Sequence, residues 1–329
     1  MESDKLKDIY ENELKPELEN LETDRKQAAK EVIIAGIIGI PSLLMLMGIT
    51  DGFSTFPFTP TSLVVAVTSI IGVILGFKAA SKYNKYRAKF KKEIVGALVN
   101  KYNPEWNFSY QSSISRGEYQ ASKIFRKRHN RFNGEDLIEG SIEKTNFKFS
   151  ELHTEYEQRS SKKQKVYKTI FKGLFFKIEF NKELKGETYV LPDKAEKLLG
   201  KWGQKLQAGF GQNILEGGSY GELVKLENPE FEKEFVVYGG DQIEPRYILT
   251  PSLMEAIVNL KKRYYNNISL SFIGNNVYIA LSVKENLFEP KLFSTGLNFK
   301  HVSKMNSAIN IIEVIIHEMN LNTRIWTKV

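Results

Sequence analysis

Apolar residues crowd into two unbroken runs near the start of the chain and recur in short periods elsewhere. The runs are Val32–Ile49 and Ser62–Ala80, and their only charge is Lys78, near the end of the second. As helices rising about 1.5 Å per residue, each is long enough to cross roughly 30 Å of hydrocarbon. Core helices of soluble proteins rarely run this long without a charge, so the pattern predicts a transmembrane hairpin. Pro41 and the glycines would weaken a helix in water; in lipid, neighbouring helices re-satisfy the freed backbone groups. The connector Thr50–Thr61 holds Pro57, Pro60, Gly52, Phe53, Phe56 and Phe58, and no Lys or Arg. Such rings suit a headgroup boundary.

Shorter periods flank the hairpin. Leu6, Tyr10, Leu14, Leu18 and Leu21 lay one apolar stripe along a charged helix over residues 4–30, which Pro16 is expected to kink or interrupt. Tyr83, Tyr86, Phe90, Ile94 and Leu98 continue the second span as a charged helix to about Asn100. Residues 105–135 are polar, with a helix over Ser115–Arg128 as one reading. From Asp136 the period shortens. Strands are predicted over Leu137–Phe149, Lys148–Gln158, Val166–Phe180 and Thr188–Leu191, then a helix from Asp193 to Gln207 with Ala195, Leu198, Leu199 and Trp202 inward. Further strands are expected at Glu222–Leu226, Phe235–Tyr238, Tyr247–Leu249, Ile268–Ile273 and Val277–Val283, with helices at Pro251–Tyr265 and Ser303–Met319. Tyr189-Val190-Leu191-Pro192 and Tyr247-Ile248-Leu249-Thr250-Pro251 rhyme, which hints at a duplicated β-rich unit.

These elements predict an α+β protein: a two-helix transmembrane hairpin, then a cytosolic, mainly antiparallel sheet domain with packed helices. The expected divisions are 1–31, an amphipathic helix; 32–80, the hairpin; 81–135, a basic juxtamembrane helix and linker; and 136–329, the α+β domain. Within the last, 136–207 and 221–329 are the two candidate related units.

Charge adds orientation. The chain has 329 residues, net charge +8 and no cysteine, which excludes disulfides, thiolate metal sites and cysteine nucleophiles. Arg25, Lys26 and Lys30 precede the first span, and Lys82, Lys85, Arg87, Lys89, Lys91 and Lys92 follow the second. The positive-inside rule then puts both termini in the cytoplasm of a multi-pass inner-membrane (plasma-membrane) protein. The acidic first segment argues against a cleaved leader. The six cations after the second span form a candidate collar against the anionic face of the lipid bilayer. Arg126-Lys127-Arg128-His129 raises nucleic acid as a rival, but no nucleic-acid fold surrounds it.

Chemistry is harder to find. Gly209-Phe210-Gly211 opens like a dinucleotide loop, yet position 214 is Ile where glycine is needed. His317-Glu318 opens like a zinc-protease helix, yet position 321 is Leu. Glu151, Glu155, Glu179, Glu187 and Asp241 lie in or beside predicted strands without a nameable nucleophile. Asp241 with Arg246 is a candidate structural ion pair. No catalytic residue, cofactor or metal ligand emerges. Gly36, Gly39, Gly72 and Gly76 offer small-residue spacing for self-association, hence a candidate homo-oligomer.

Several phrases resemble one family. They are Phe149-Ser150-Glu151-Leu152, Ile170-Phe171-Lys172-Gly173-Leu174-Phe175-Phe176, Phe231–Tyr238, Asp241–Pro251 and Phe288-Glu289-Pro290. Over residues 130–295 the chain resembles the domain-of-unknown-function 3137 family of bacterial membrane proteins. That resemblance implies two membrane helices ahead of the domain and no established activity. Phe171, Leu174, Phe176, Ile178 and Phe180 read as core, and Gly173 as a close backbone approach or a bulge. The reading that follows is a membrane-anchored binding or scaffolding domain with a protein partner. The alternative is an enzyme or lipid-binding protein acting at the membrane.

Overall fold

Pro16 does not end the N-terminal helix. α1 (Ser3–Ile9) passes through a π turn at Tyr10–Leu14 into α2 (Lys15–Thr50), with Lys15 N–H donating to Tyr10 O. Proline lacks an N–H and its ring crowds the carbonyl four residues back. The wider turn just before it makes room, so the expected break is a bulge. A second π turn, Lys91–Val95, joins α3 (Pro60–Phe90) to α4 (Gly96–Tyr102).

The computed structural model describes residues 3–50, 60–159, 164–180, 182–193, 220–264 and 267–321. The expected aromatic connector and the expected Asp193–Gln207 helix fall almost wholly outside them. The chain divides into two compact units, Met1–Lys101 with Leu287–Ala308, and Tyr102–Asn286 with Ile309–Val329.

In the first unit α2 and α3 run antiparallel. Glu13 pairs with Lys101, Asp24 with Lys89 and Glu31 with Lys82. The two backbones touch where Gly39 faces Gly72: a Cβ added to Gly72 would lie 2.6 Å from Gly39 Cα. Ser69 Oγ donates across to Ser42 O at 3.3 Å. The stripe Leu6, Tyr10, Leu14, Leu18 and Leu21 is buried. Further along, the apolar side chains turn outward, with Ile37 68 %, Ile70 61 % and Phe77 74 % exposed. Both helices are long and apolar enough to cross a membrane.

The second unit is built on a nine-stranded antiparallel sheet. Its strands are β1 (Asn107–Ser109), β2 (Arg131–Ile142), β3 (Thr145–Arg159), β4 (Lys165–Glu179), β5 (Glu187–Pro192), β6 (Glu222–Val224), β7 (Phe235–Gly239), β8 (Ile268–Ile273) and β9 (Asn276–Ser282). The order across the sheet is β1-β2-β3-β4-β9-β8-β5-β7-β6. Strands from both candidate β-rich segments therefore interleave, since β4 pairs with β9 and β5 lies between β8 and β7. At the centre Leu174, Phe175 and Phe176 are all buried, so β4 is covered on both faces. Phe171 and Phe175 pack with Ile114, Tyr119 and Ile124 on one face. Phe176 stacks on Phe149 across β3, its ring centroid 5.1 Å away.

Helices close the strands. Ser115 and Glu118 form a capping box on α5 (Arg116–Ala121), which ends well before Arg128. Asn228 caps α6 (Pro229–Glu234). The strand expected at Tyr247–Leu249 is instead α7 (Glu244–Ile248). Asp241 Oδ1 accepts from Ile243 N and Glu244 N, and Pro245 sits in the first turn; both features start helices. α8 (Pro251–Tyr264) begins at Pro251 as predicted, with Leu253 N donating to the Thr250 Oγ1 just before it. α9 is Phe299–Glu318.

Candidate functional site

The basic collar is largely occupied within its own unit. Lys82 reaches Glu31 at 3.0 Å and Lys89 reaches Asp24 at 2.6 Å. Arg87 donates from Nε and Nη2 to the Glu289 carboxylate, and Lys91 reaches the same group at 2.7 Å with its side chain wholly buried. Burial pushes the Glu289 carboxyl up, but the hydrogen bonds from Arg87 and Lys91 outweigh it and hold the group below its ordinary value. Lys85 and Lys92 are exposed. Asp241 and Arg246 do not pair. Asp241 accepts from Ile243 N and Glu244 N in the turn that leads into α7, while Arg246 donates to Gln242 and to Lys225 O. The Asx turn gives Asp241 its hydrogen bonds from amides two and three residues on, and Arg246 is held by Gln242 and Lys225 instead.

The Arg126-Lys127-Arg128-His129 run is built into aromatic packing. Arg126 lies 5.1 Å from the Tyr189 ring and 4.3 Å from the Tyr220 ring, and Lys127 lies 3.8 Å from Tyr156. His129 meets Tyr119 edge to face. His153 and His301 meet Thr169 Oγ1 and Glu289 O, and His317 is exposed, so the four histidines stay dispersed.

A cleft of about 300 Å³ opens beside the first residues of β2 and the middle of β3 and β4. Register puts Glu135, Glu151 and Leu174 in one row across the three strands, and Asn133, His153 and Lys172 in the next row of the same face. Glu285 and Asn286 complete the rim. The β2 ladder shifts between Glu135 and Ile138, where Asp136 adopts φ 59°. That bulge adds Asp136, fully buried, to Glu135 and the buried Glu151. One carboxylate oxygen from each of the three lies within 4.8 Å of the others. The donors are all oxygen, the type hard divalent cations take. The floor depends on Gly173, at φ 151°, whose added Cβ would overlap Leu281 O and lie 2.6 Å from Val283 N.

Of the five carboxylates singled out in the sequence, only Glu151 enters this cleft. Glu155 faces Arg131 and His153, Glu179 accepts from Asn146, Glu187 takes Lys123 and the Tyr189 hydroxyl, and Asp241 holds the turn before α7. Glu135 and Asp136 do not stand out in the sequence because a bulge, not a spacing, brings them to Glu151. Their one sequence signal is an adjacent acidic pair on a predicted strand boundary.

An antiparallel α+β domain preceded by two long apolar helices is the class these features define. A family model described as "Protein of unknown function (DUF3137)" matches residues 169–321, the family that the sequence resembles. The match runs from within β4 to just past α9. No curated protein matches the chain. Among solved structures, the crystal structure of the mycobacterial trehalose monomycolate transport factor A, TtfA, is similar at 9 % identity. The match covers 66 % of this chain and 93 % of that one, with a TM-score of 0.32, a likeness too slight to bear on function.

Proposed function

We propose that this chain is a membrane-anchored binding protein. Its α2–α3 hairpin sits in the bilayer, both termini lie in the cytoplasm, and the sheet unit engages a partner there. The observation that carries this reading is the outward aim of the hairpin's apolar side chains. Ile37, Ile40, Leu44, Leu63, Ile70, Ile74 and Phe77 are each at least 60 % exposed. In water such a belt is a liability, and in hydrocarbon it is the expected surface. The basic flanks and a connector without Lys or Arg support the orientation.

The absence of cysteine gives a direct test. Single cysteines at Ser54 and Lys185 are probed with an impermeant maleimide on sealed cells. Ser54→Cys labels from outside and Lys185→Cys only after permeabilisation. The reverse pattern overturns the orientation, and release of the chain by alkaline carbonate overturns the anchor. Proximity crosslinking in native membranes then identifies the partner.

A second reading, an enzyme or ligand-binding domain, has its own support in the cleft, where Glu135, Glu151, Lys172 and His153 converge. Native mass spectrometry of the purified chain and of Glu151→Gln tests it. A small molecule retained by the first and lost from the second favours this reading over a protein scaffold.

A further inference from the structure

We propose that the far end of the β3–β4 hairpin is a docking surface for an anionic lipid bilayer, an inference that rests on the membrane anchoring above. β2 pairs with β3 only as far as Glu155, and β9 pairs with β4 only from Gly173 onward. Beyond those points β3 and β4 continue alone through the register pairs Tyr156↔Lys168, Glu157↔Tyr167, Gln158↔Val166 and Arg159↔Lys165. The ladder shifts between Thr154 and Glu155, with Ile170 as the extra residue. Such a bulge bends and twists a ribbon where it leaves a sheet.

This ribbon is strongly basic. From Gln158 to Ile178 the sequence contains no Asp or Glu, while Arg159, Lys165 and Lys168 stand exposed on the described parts of β3 and β4, and Lys162 and Lys163 fall between those strands in sequence. Glu157, the acid on the ribbon, already accepts from Lys165 at 3.3 Å and from the Tyr167 hydroxyl at 3.4 Å. Val166, 43 % exposed, shares one face of the ribbon with Lys168, and Arg159 and Lys165 lie on the other. Cations flanking an aliphatic side chain match the headgroup boundary of an anionic leaflet. Single-stranded nucleic acid would need open aromatic faces for its bases. The two ribbon tyrosines instead carry cations on their rings, Lys127 over Tyr156 at 3.8 Å and Arg131 over Tyr167 at 3.3 Å. A chain anchored in the bilayer also holds the ribbon near lipid at high effective concentration.

The test uses the full chain with Ser161→Cys as its single thiol, labelled with bimane. It is reconstituted in phosphatidylcholine vesicles with or without phosphatidylglycerol, both bearing a headgroup nitroxide quencher. Quenching at least about twofold stronger with phosphatidylglycerol, and reversed by salt, is the expected result. Arg159→Glu with Lys165→Glu and Lys168→Glu removes that difference, whereas Lys85→Gln with Lys92→Gln leaves it intact. Equal quenching in both vesicles overturns the proposal, as does a response to an added oligonucleotide but not to phosphatidylglycerol. Flotation with the neutral vesicles reports the anchor separately, so failure of docking and failure of anchoring are distinguishable.

Discussion

Lys91 holds its ammonium 2.7 Å from Glu289 Oε1 with none of its side chain exposed, and Arg87 Nη2 reaches the same oxygen at 2.6 Å. His301, in turn, meets the Glu289 main-chain carbonyl through Nε2 at 3.0 Å and stacks on Phe90. One acid thus fixes the segment after β9 to the end of α3 and to the π turn that follows it. Both cations come from the stretch that reads in sequence as a lipid-facing collar.

Removing Glu289 leaves a buried ammonium without its carboxylate. Glu289→Gln is expected to cost about 3–5 kcal/mol, against less than about 0.5 kcal/mol for Lys89→Gln, whose side chain is over half exposed. Thermal unfolding of the purified full chain measures both. A loss for Glu289→Gln no larger than for Lys89→Gln would show that the pair is not holding this segment.

The same cluster sets an acid dependence. The Glu289 carboxyl is held below its ordinary 4.5, so its contribution is complete above pH 4.5 and lost as pH falls through the folded value. Burial first, and then the charge of Lys291, hold His301 below 6.5. The unfolded chain therefore takes that proton first, and stability begins to fall as pH drops below 6.5. His129, lowered by burial and by Arg116, acts in the same direction. A titration of Tm from pH 8 downward should show a decline starting near 6.5 that is shallower in His301→Gln. An identical slope in the variant would remove His301 from the account.

Helix contact in the hairpin is equally specific. An added Cβ at Gly72 would lie 2.6 Å from Gly39 Cα, whereas one at Gly76 would meet nothing within 4 Å. Gly72→Leu should separate α2 from α3 at a cost of about 1–3 kcal/mol, and Gly76→Ala should be neutral. Crosslinking of a Ser42→Cys, Ser69→Cys pair in membranes reads the separation, falling in the first background and persisting in the second.

Much of this architecture is legible from local pattern. The apolar runs and the phenylalanine-rich β4 declare themselves within a window of residues, and Gly173 signals the close approach it makes to β9. Tyr247–Leu249 misleads because three apolar residues suit a strand or a helix; Asp241 and Pro245, just upstream, settle the matter. The ion-paired collar is hidden for another reason, since Arg87 and Glu289 lie 202 positions apart. The cleft combines both difficulties. Glu135 meets Glu151 through strand register, and Asp136 joins them only because β2 bulges.

The capping box on α5 makes a small, clean case. Ser115 Oγ accepts from Glu118 N, and Glu118 Oε2 accepts from Ser115 N. Ser115→Ala should lose about 1 kcal/mol. Burial opposes ionisation of Glu118, but the Ser115 backbone and side chain with Lys177 and Lys148 bring its carboxyl down to about 2. Its contribution is full above pH 4.5 and disappears between 4.5 and about 2. Carboxyl NMR of the folded chain reads that titration directly, and a midpoint near 4.5 would contradict the capped geometry.

Glycine substitutions on the sheet separate backbone strain from steric overlap. Gly173 combines φ 151° with an added Cβ that would overlap Leu281 O and crowd Val283 N, both main-chain atoms that cannot rotate away. Gly274 also has positive φ, at 61°, but an added Cβ there meets nothing within 4 Å. Gly274→Ala should therefore cost only the left-handed backbone term, about 1–2 kcal/mol. Gly173→Ala adds forced separation of β4 from β9, for a total above about 3 kcal/mol. Because Gly173 also lines the cleft, the larger loss should come with loosened amide-exchange protection at Glu151 and Leu174, while Gly274→Ala leaves that protection unchanged. Equal costs for the two substitutions would mean that β9 gives way at Ser282 and that the close approach is not what holds the cleft floor.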